Sequence, residues 1–325
     1  MFNFKKVDPT PLRKRGSLDT DSASQQLMAL DIVNKYVFTD ENGSVFHECE
    51  LPADADIYNC GGYADKVAKY RDPQLYDYLK GEGVSEKSLE SDGFPILATQ
   101  SPKLDLILFE LIKLQRRQNG NVRVSLFDLG CTVAEHYDLL DVFFQTEDDS
   151  AANVLDYTGL DQSSLVLIAA KILHPGLSDN QFSLVKAEGS QFEIKENQFD
   201  FGLSVGVVNH VVDPHSAIRK LLVGCRLGVV MLLWVTKHQK GTWLLNHSGI
   251  PFYFFSQQDL CDLAEEFGMT VYLGEFTPQE DNSQPRSFAG VGSEIMEGVG
   301  SYQVVFSKMA QMPMGLHALS GNNDE

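Results

Sequence analysis

The chain has 325 residues, 43% of them hydrophobic, enough to bury one large α/β domain with or without a smaller companion. A net charge of −19 repels phosphate backbones and so argues against nucleic acid as a partner. No stretch reaches the roughly 20 unbroken apolar residues of a membrane helix, and the five dispersed cysteines form no C-x-x-C pair, which argues against a disulfide framework or a structural zinc site.

In chain order, residues 1–25 read as a polar, disordered tail whose basic cluster (Lys5, Lys6, Arg13, Lys14, Arg15) is a solvated patch. The opening Met-Phe-Asn-Phe-Lys-Lys lacks the apolar run of a secretory signal, so a cytoplasmic protein is expected. Residues 26–100 form an accessory segment, expected to be mostly helical. It has a helix-like piece near Gln25–Tyr36, turn signals at Asn42-Gly43 and Gly61-Gly62, and a run of tyrosines suited to a lid or substrate wall.

Residues 101–310 form the main domain. Leu104, Ile107, Leu108, Leu111 and Ile112 recur at helical spacing, and Asn119-Gly120 stops that helix. Short apolar strands then alternate with helices. The strands are expected at 122–129, 154–160, 182–186, 199–204, 227–234, 270–273 and 302–307. Asp213-Pro214 opens one helix as cap and first residue, and Ser256 with Asp259 forms a capping box for another that Gly268 ends. Such alternation predicts a doubly wound, mostly parallel seven-stranded sheet that binds its ligand at the carboxyl ends of the strands. Residues 311–325 read as a tail.

Three segments carry chemistry. The first strand ends in Asp128-Leu129-Gly130-Cys131-Thr132-Val133-Ala134, with Gly130, Thr132 and Ala134 as the small positions of a tight turn that brings backbone against a nucleotide-like ligand. The second strand ends in Gly159-Leu160-Asp161-Gln162-Ser163, where Asp161 can accept hydrogen bonds from ribose hydroxyls or cap its helix. It lies further from Gly130 than the roughly 20 residues usual in dinucleotide folds. The acidic run Glu147-Asp148-Asp149 reads as a surface loop that accounts for the excess. The third segment is Phe199-Asp200-Phe201-Gly202-Leu203-Ser204-Val205 followed by Asn209-His210-Val211-Val212-Asp213-Pro214.

Together these segments resemble the motifs of class I, S-adenosylmethionine (SAM) dependent methyltransferases: D-x-G-x-G-x-G, then G-x-D-x-S, then F-D-x-x-x-S-x-x-V-x-x-H-V-x-D-P. The resemblance spans about residues 120–308 and departs from the pattern where Thr132 and Ala134 replace glycines. It implies a Rossmann-like fold closed by a reversed C-terminal β-hairpin. It also implies SAM as cofactor, with S-adenosylhomocysteine (SAH) as product, contacted by Asp128, Gly130, Cys131, Thr132, Asp161, Gln162, Glu188, Ser204 and Val205. His210, just past the fourth strand, is the candidate general base, with His136, Tyr137 and His215 behind it. No metal is expected, because Asn209, His210, Asp213 and His215 would point to different faces.

The absence of an Asn-Pro-Pro-Tyr-like or Pro-Cys motif, with the acidic charge, points to a small-molecule acceptor and to neither nucleic acid nor membrane; self-association stays open. The stretch Lys237–Phe255, with Trp243, His247, Phe252, Tyr253 and Phe254, is expected as a second substrate wall. A different class of function competes with the enzyme: a SAM-fold protein that has lost or altered cofactor binding and serves as a scaffold. An NAD enzyme is disfavoured, because the turn is not G-x-G-x-x-G.

Overall fold

The computed structural model describes residues 37–39, 45–49, 102–161, 167, 170–171, 174, 176–177, 192–236, 241–245, 251–274 and 299–319. The elements are β1 (Val37–Thr39), β2 (Val45–Cys49), α1 (Pro102–Asn119), β3 (Val124–Leu129), α2 (Glu135–Gln145), a short α3 (Ala151–Val154) and β4 (Leu155–Leu160). They continue with β5 (Phe199–Val205), a 3₁₀ turn (Val208–His210), α4 (Pro214–Gly224), β6 (Cys225–Thr236), β7 (Thr242–Leu245), β8 (Pro251–Ser256), α5 (Gln257–Glu266), β9 (Thr270–Gly274), β10 (Val299–Ser307) and β11 (Leu316–Ala318). Among the described residues no helix is long and apolar enough to cross a membrane.

The main sheet runs β4-β3-β5-β6-β10-β9-β11. Its first three pairings are parallel and its last three antiparallel. With β8 also parallel to β6, this is the Rossmann-like, mostly parallel arrangement with a reversed hairpin that the resemblance implies. Both faces are covered. One core joins α4 and α5 to Met231, Leu233 and Val235 of β6; the other joins α1 and α2 to Val230 and to β4. A strand covered on both sides has no polar face, which is why every residue of β5 is buried. The expected third strand, 182–186, lies outside the described residues. At the other end β11 pairs with β9, so the sheet runs on past residue 310, where a tail was expected.

A second, antiparallel sheet was not foreseen. Its order is β1-β2-β7-β8, and it joins the main sheet through β6. In the segment expected to be mostly helical, the described residues are therefore strands. They flank the Asn42-Gly43 turn signal and pair Thr39 with Val45. Alternation over about four to eight residues is the signal that reveals strands, and β1 and β2, with three and five residues, give little of it.

The junction fixes where this second sheet goes. β10 runs along one edge of β6 as far as Thr236. β5 runs along the other edge and stops at Val205, opposite Leu232, while β8 meets Val235 and Thr236. A strand has two edges, so β8 takes over the β5 edge where β5 ends. The second sheet thus leaves β6 at the carboxyl end, on the side of β5, β3 and β4.

Charge follows the same axis. Arg123 pairs with Asp156 (2.7 Å) where β3 and β4 begin, Arg226 with Asp200 where β5 and β6 begin, and Lys308 follows the end of β10 at that same edge. The opposite, carboxyl edge carries Asp128 and Asp161.

Candidate functional site

Chain order reverses at β3: β4 lies on one side of it and β5 on the other, so a crevice opens at its carboxyl end. The turn that fills this place departs from ordinary backbone. Gly130, Thr132 and Ala134 have φ of 78°, 47° and 65°, all left-handed. The two non-glycine residues stand at the positions where the motif usually has glycine, and they keep the backbone that glycine would adopt freely. Each costs about 1–2 kcal/mol, and Thr132 is β-branched, the least suited class.

Local bonds hold this shape. The N–H groups of Gly130 and Cys131 donate to the Leu160 carbonyl (2.7 and 3.1 Å), and the Ala134 N–H donates to the Cys131 carbonyl (2.7 Å). The Thr132 N–H donates to Oδ2 of Asp161 (3.2 Å), so the acid at the tip of β4 is brought against the turn, where the motif requires it. Gly130 has no room for a side chain: a Cβ there would lie 2.1 Å from Cγ2 of Val207. The close approach of the segment after β5, which carries His210, therefore depends on glycine at this point.

Beneath the turn lies a buried polar cluster. Asp128 is fully buried, and its Oδ2 accepts from the Tyr157 hydroxyl at 2.6 Å. Its Oδ1 is buried without a hydrogen-bond partner. Burial raises the Asp128 carboxyl from 3.8 to about 6, against the opposing pull of His136 and the Tyr157 hydrogen bond. Nδ1 of His136 lies 2.8 Å from Asp105 of α1. Burial alone would lower the His136 pKa, but the Asp105 hydrogen bond and the charges of Asp105, Asp128 and Glu135 raise it to about 9. A protonated His136 thus offsets part of the acid charge under the turn. The tyrosine above it, Tyr137, packs edge-on against Tyr157 (5.3 Å between centroids).

The expected site residues separate in this geometry. Gly130, Thr132, Asp161 and Asp128 converge on the turn. The Cys131 thiol does not face the crevice side of the turn. It packs under Gly159, where a Cβ would come within 2.6 Å of its sulfur, and burial pushes its pKa well up. Ser204 donates its hydroxyl to the Leu129 carbonyl (3.2 Å) and Val205 is buried in the core, so these two pin β5 to β3. Gln162 and Glu188 lie outside the described residues.

His210 is half-buried in the 3₁₀ turn, and its N–H donates to the Val207 carbonyl (2.8 Å), which places it three residues from the side chain packed on Gly130. The secondary base candidates do not sit there. His136 is buried against Asp105, and His215 packs edge-on against Tyr253 and Phe255. No cluster of metal-ligating side chains occurs among the described residues.

Sequence reasoning missed Asp105, Glu135 and the role of Tyr157. Asp105 had a signal: it lies on the same helical stripe as Leu108 and Ile112, where an acid needs a buried partner. Asn209 was missed as a structural bridge. It is buried, donates its Nδ2 to the Tyr253 carbonyl and accepts the Trp234 N–H on Oδ1 (3.4 Å), so it spans β6 and β8 just where β5 ends. The expected second wall also divides. Tyr253, with Trp243 against it, packs toward α4, and Phe254 turns to the opposite face, beside Trp234; His247 and the side chain of Phe252 lie outside the described residues.

Residues 127–228 match the model of a methyltransferase domain. No curated protein matches the chain in sequence. Among solved structures, the chain is similar to a 1,6-didemethyltoxoflavin-N1-methyltransferase from Burkholderia thailandensis, with bound 1,6-didemethyltoxoflavin and SAH. That match has 12% identity and a TM-score of 0.42, and it covers 86% of this chain and 99% of the other. It is also similar to magnesium protoporphyrin IX methyltransferase from Synechocystis PCC 6803 with bound SAM (11% identity, TM-score 0.41, 79% and 100% covered). A third is a SAM-dependent methyltransferase from Mesorhizobium loti (13% identity, TM-score 0.38, 62% and 98% covered). The matched segment runs from the end of β3 into β6 and so contains the left-handed turn, Asp161 and His210.

Proposed function

We propose that the chain transfers the methyl group of SAM to a small-molecule acceptor and releases SAH. The observation that carries this reading is the turn at the carboxyl end of β3, whose three left-handed residues are held against the carboxylate of Asp161 at the switch point of the sheet. Two further features fit a cationic, nucleoside-bearing ligand. Asp161 stands where it can accept from ribose hydroxyls, and the buried, unpartnered Oδ1 of Asp128 adds negative charge beneath the turn. The sulfonium of SAM supplies an already activated methyl group. The chain's own residues then position the acceptor, exclude water and take up a proton where the acceptor has one to lose.

On this reading Gly130, Thr132 and Asp161 hold the cofactor and Asp128 supports the turn from below. His210 is the base, and the β1-β2-β7-β8 sheet covers the acceptor. His210→Ala is expected to lower turnover by about 10²–10⁴-fold with SAM affinity unchanged. Asp161→Ala is expected to weaken SAH binding by about 1.5–3 kcal/mol in a calorimetric titration while the protein stays folded. Parental affinity in that variant would reduce Asp161 to a tie for the Thr132 N–H.

One observation favours the scaffold reading instead: Thr132 and Ala134 bring side chains into a turn usually made of glycine. That reading expects neither SAM nor SAH to bind. The same titration on the parent protein separates the two.

A further inference from the structure

β5 and β8 share one edge of β6 and leave a fork between them. β5 is paired as far as Leu232, and β8 takes over at Val235 and Thr236, opposite Phe255 and Ser256. In this register the next rung toward β5 would run from the Trp234 N–H to the Tyr253 carbonyl. The side-chain amide of Asn209 is set into that rung instead. Its Oδ1 accepts the Trp234 N–H (3.4 Å), and its Nδ2 donates to the Tyr253 carbonyl. An amide side chain carries the donor and the acceptor of a peptide group, so Asn209 stands in for the strand residue missing at the fork.

Asn209 is buried, and it belongs to the 3₁₀ turn Val208–His210, so its neighbour in the chain is the candidate base. The near end of this turn is held by the cofactor turn. The His210 N–H donates to the Val207 carbonyl, and Cγ2 of Val207 lies where a Cβ on Gly130 would meet it at 2.1 Å. A continuous path of packing and hydrogen bonds thus leads from Gly130 through Val207 and Asn209 to β8.

We infer that Asn209 is a positioning residue, whose amide ties the turn carrying His210 to the β1-β2-β7-β8 sheet so that the base and the cover of the acceptor move as one unit. This rests on the methyltransferase reading, which supplies the roles of His210 and of that sheet. The tie itself follows from the two hydrogen bonds.

The test is hydrogen exchange on the full chain, read by mass spectrometry over residues 207–211, 252–256 and 270–274. Asn209→Leu is close to Asn in size and removes both bonds. Without ligand it should speed exchange over 252–256 about tenfold relative to 270–274, which lies elsewhere in the main sheet. In the parent, saturating SAH should slow 207–211 and 252–256 together, at least about tenfold. In Asn209→Leu, SAH should still slow 207–211 but change 252–256 less than about twofold. Asn209→Asp keeps the shape, yet its carboxylate cannot donate to Tyr253. It should match Asn209→Leu at pH 8 and recover toward the parent at pH 5, where protonation restores the donor. The inference is overturned if ligand-free Asn209→Leu speeds both segments equally, if SAH slows only 207–211 in the parent, or if Asn209→Leu passes the SAH effect to 252–256 as the parent does. Failure of the parent to bind SAH contradicts the methyltransferase reading itself, and the ligand-free comparison then decides the Asn209 tie alone.

Discussion

Among the described residues three strand-to-helix turns lie at the carboxyl edge of the sheet, and they are built in opposite ways. The turns into α4 and α5 obey local rules. Asp213 accepts from the Ser216 N–H (2.9 Å) with Pro214 at the first helical position, and Ser256 and Asp259 form a reciprocal capping box. The turn into α2 breaks them. Its cap residue is Ala134 in left-handed backbone, no side chain caps the helix, and the turn sits over a buried, partly unsatisfied acid. A fold stabilises itself with caps and keeps strain where a ligand must be met. The difference supports the proposed role of the turn into α2 without appeal to any family resemblance.

Breaking this contrast gives the largest expected effect at Gly130. Gly130→Ala adds a methyl group to a residue at φ 78° and drives it to 2.1 Å from Val207. A loss of about 3 kcal/mol is expected in urea unfolding, from left-handed backbone and overpacking together. A loss below about 1 kcal/mol would mean that the turn is free to relax and does not hold the post-β5 segment.

Next comes the charge under the turn. His136 has its pKa raised from 6.5 to about 9, so its contribution to stability is complete below pH 6.5 and disappears as pH rises through 9. Asp105, Asp128 and Glu135 are the charges that face it. Asp128, raised from 3.8 to about 6, acts in the same direction at lower pH: its contribution is complete below 3.8 and is lost as pH rises through 6. Unfolding free energy is therefore expected to fall by about 3 kcal/mol between pH 6.5 and 9.5, and His136→Gln should flatten that slope. An equal slope in the variant would remove His136 from the account.

By comparison, an ordinary cap is worth less. Ser256→Ala should cost about 1 kcal/mol and leave SAM or SAH affinity untouched, because the capping box of α5 is structural. The smallest effect sharpens the contrast from the other side. Thr132→Gly relieves a left-handed β-branched residue at the expense of a more flexible unfolded chain, so a net gain of up to about 1 kcal/mol is expected. A thermal melt that shows Thr132→Gly to be clearly less stable would place the strain elsewhere.

What the sequence revealed follows from range. Helix caps and long apolar strands are local signals, and Asp213, Ser256, Gly268, β3, β5 and β6 were legible for that reason. The place of Asp161 at the tip of the second strand was legible through the order of the motifs, whereas its bond to the Thr132 N–H was not. Contacts between distant segments were not. No local pattern relates β2 to β7, joins Asp105 of α1 to His136 of α2, or shows that Asn209 bridges β6 and β8. Ser204, Val205 and Cys131 illustrate the converse: they stand at motif positions, yet their side chains serve packing and strand pairing.

The central claim is that the strained turn exists for SAM, and unfolding measured with and without SAM tests it most directly. With SAM at about 100 times its dissociation constant, unfolding free energy should rise by roughly 2.7 kcal/mol, and NAD at the same concentration should do nothing. Unfolding that is unmoved by saturating SAM, or raised equally by NAD, would contradict the account.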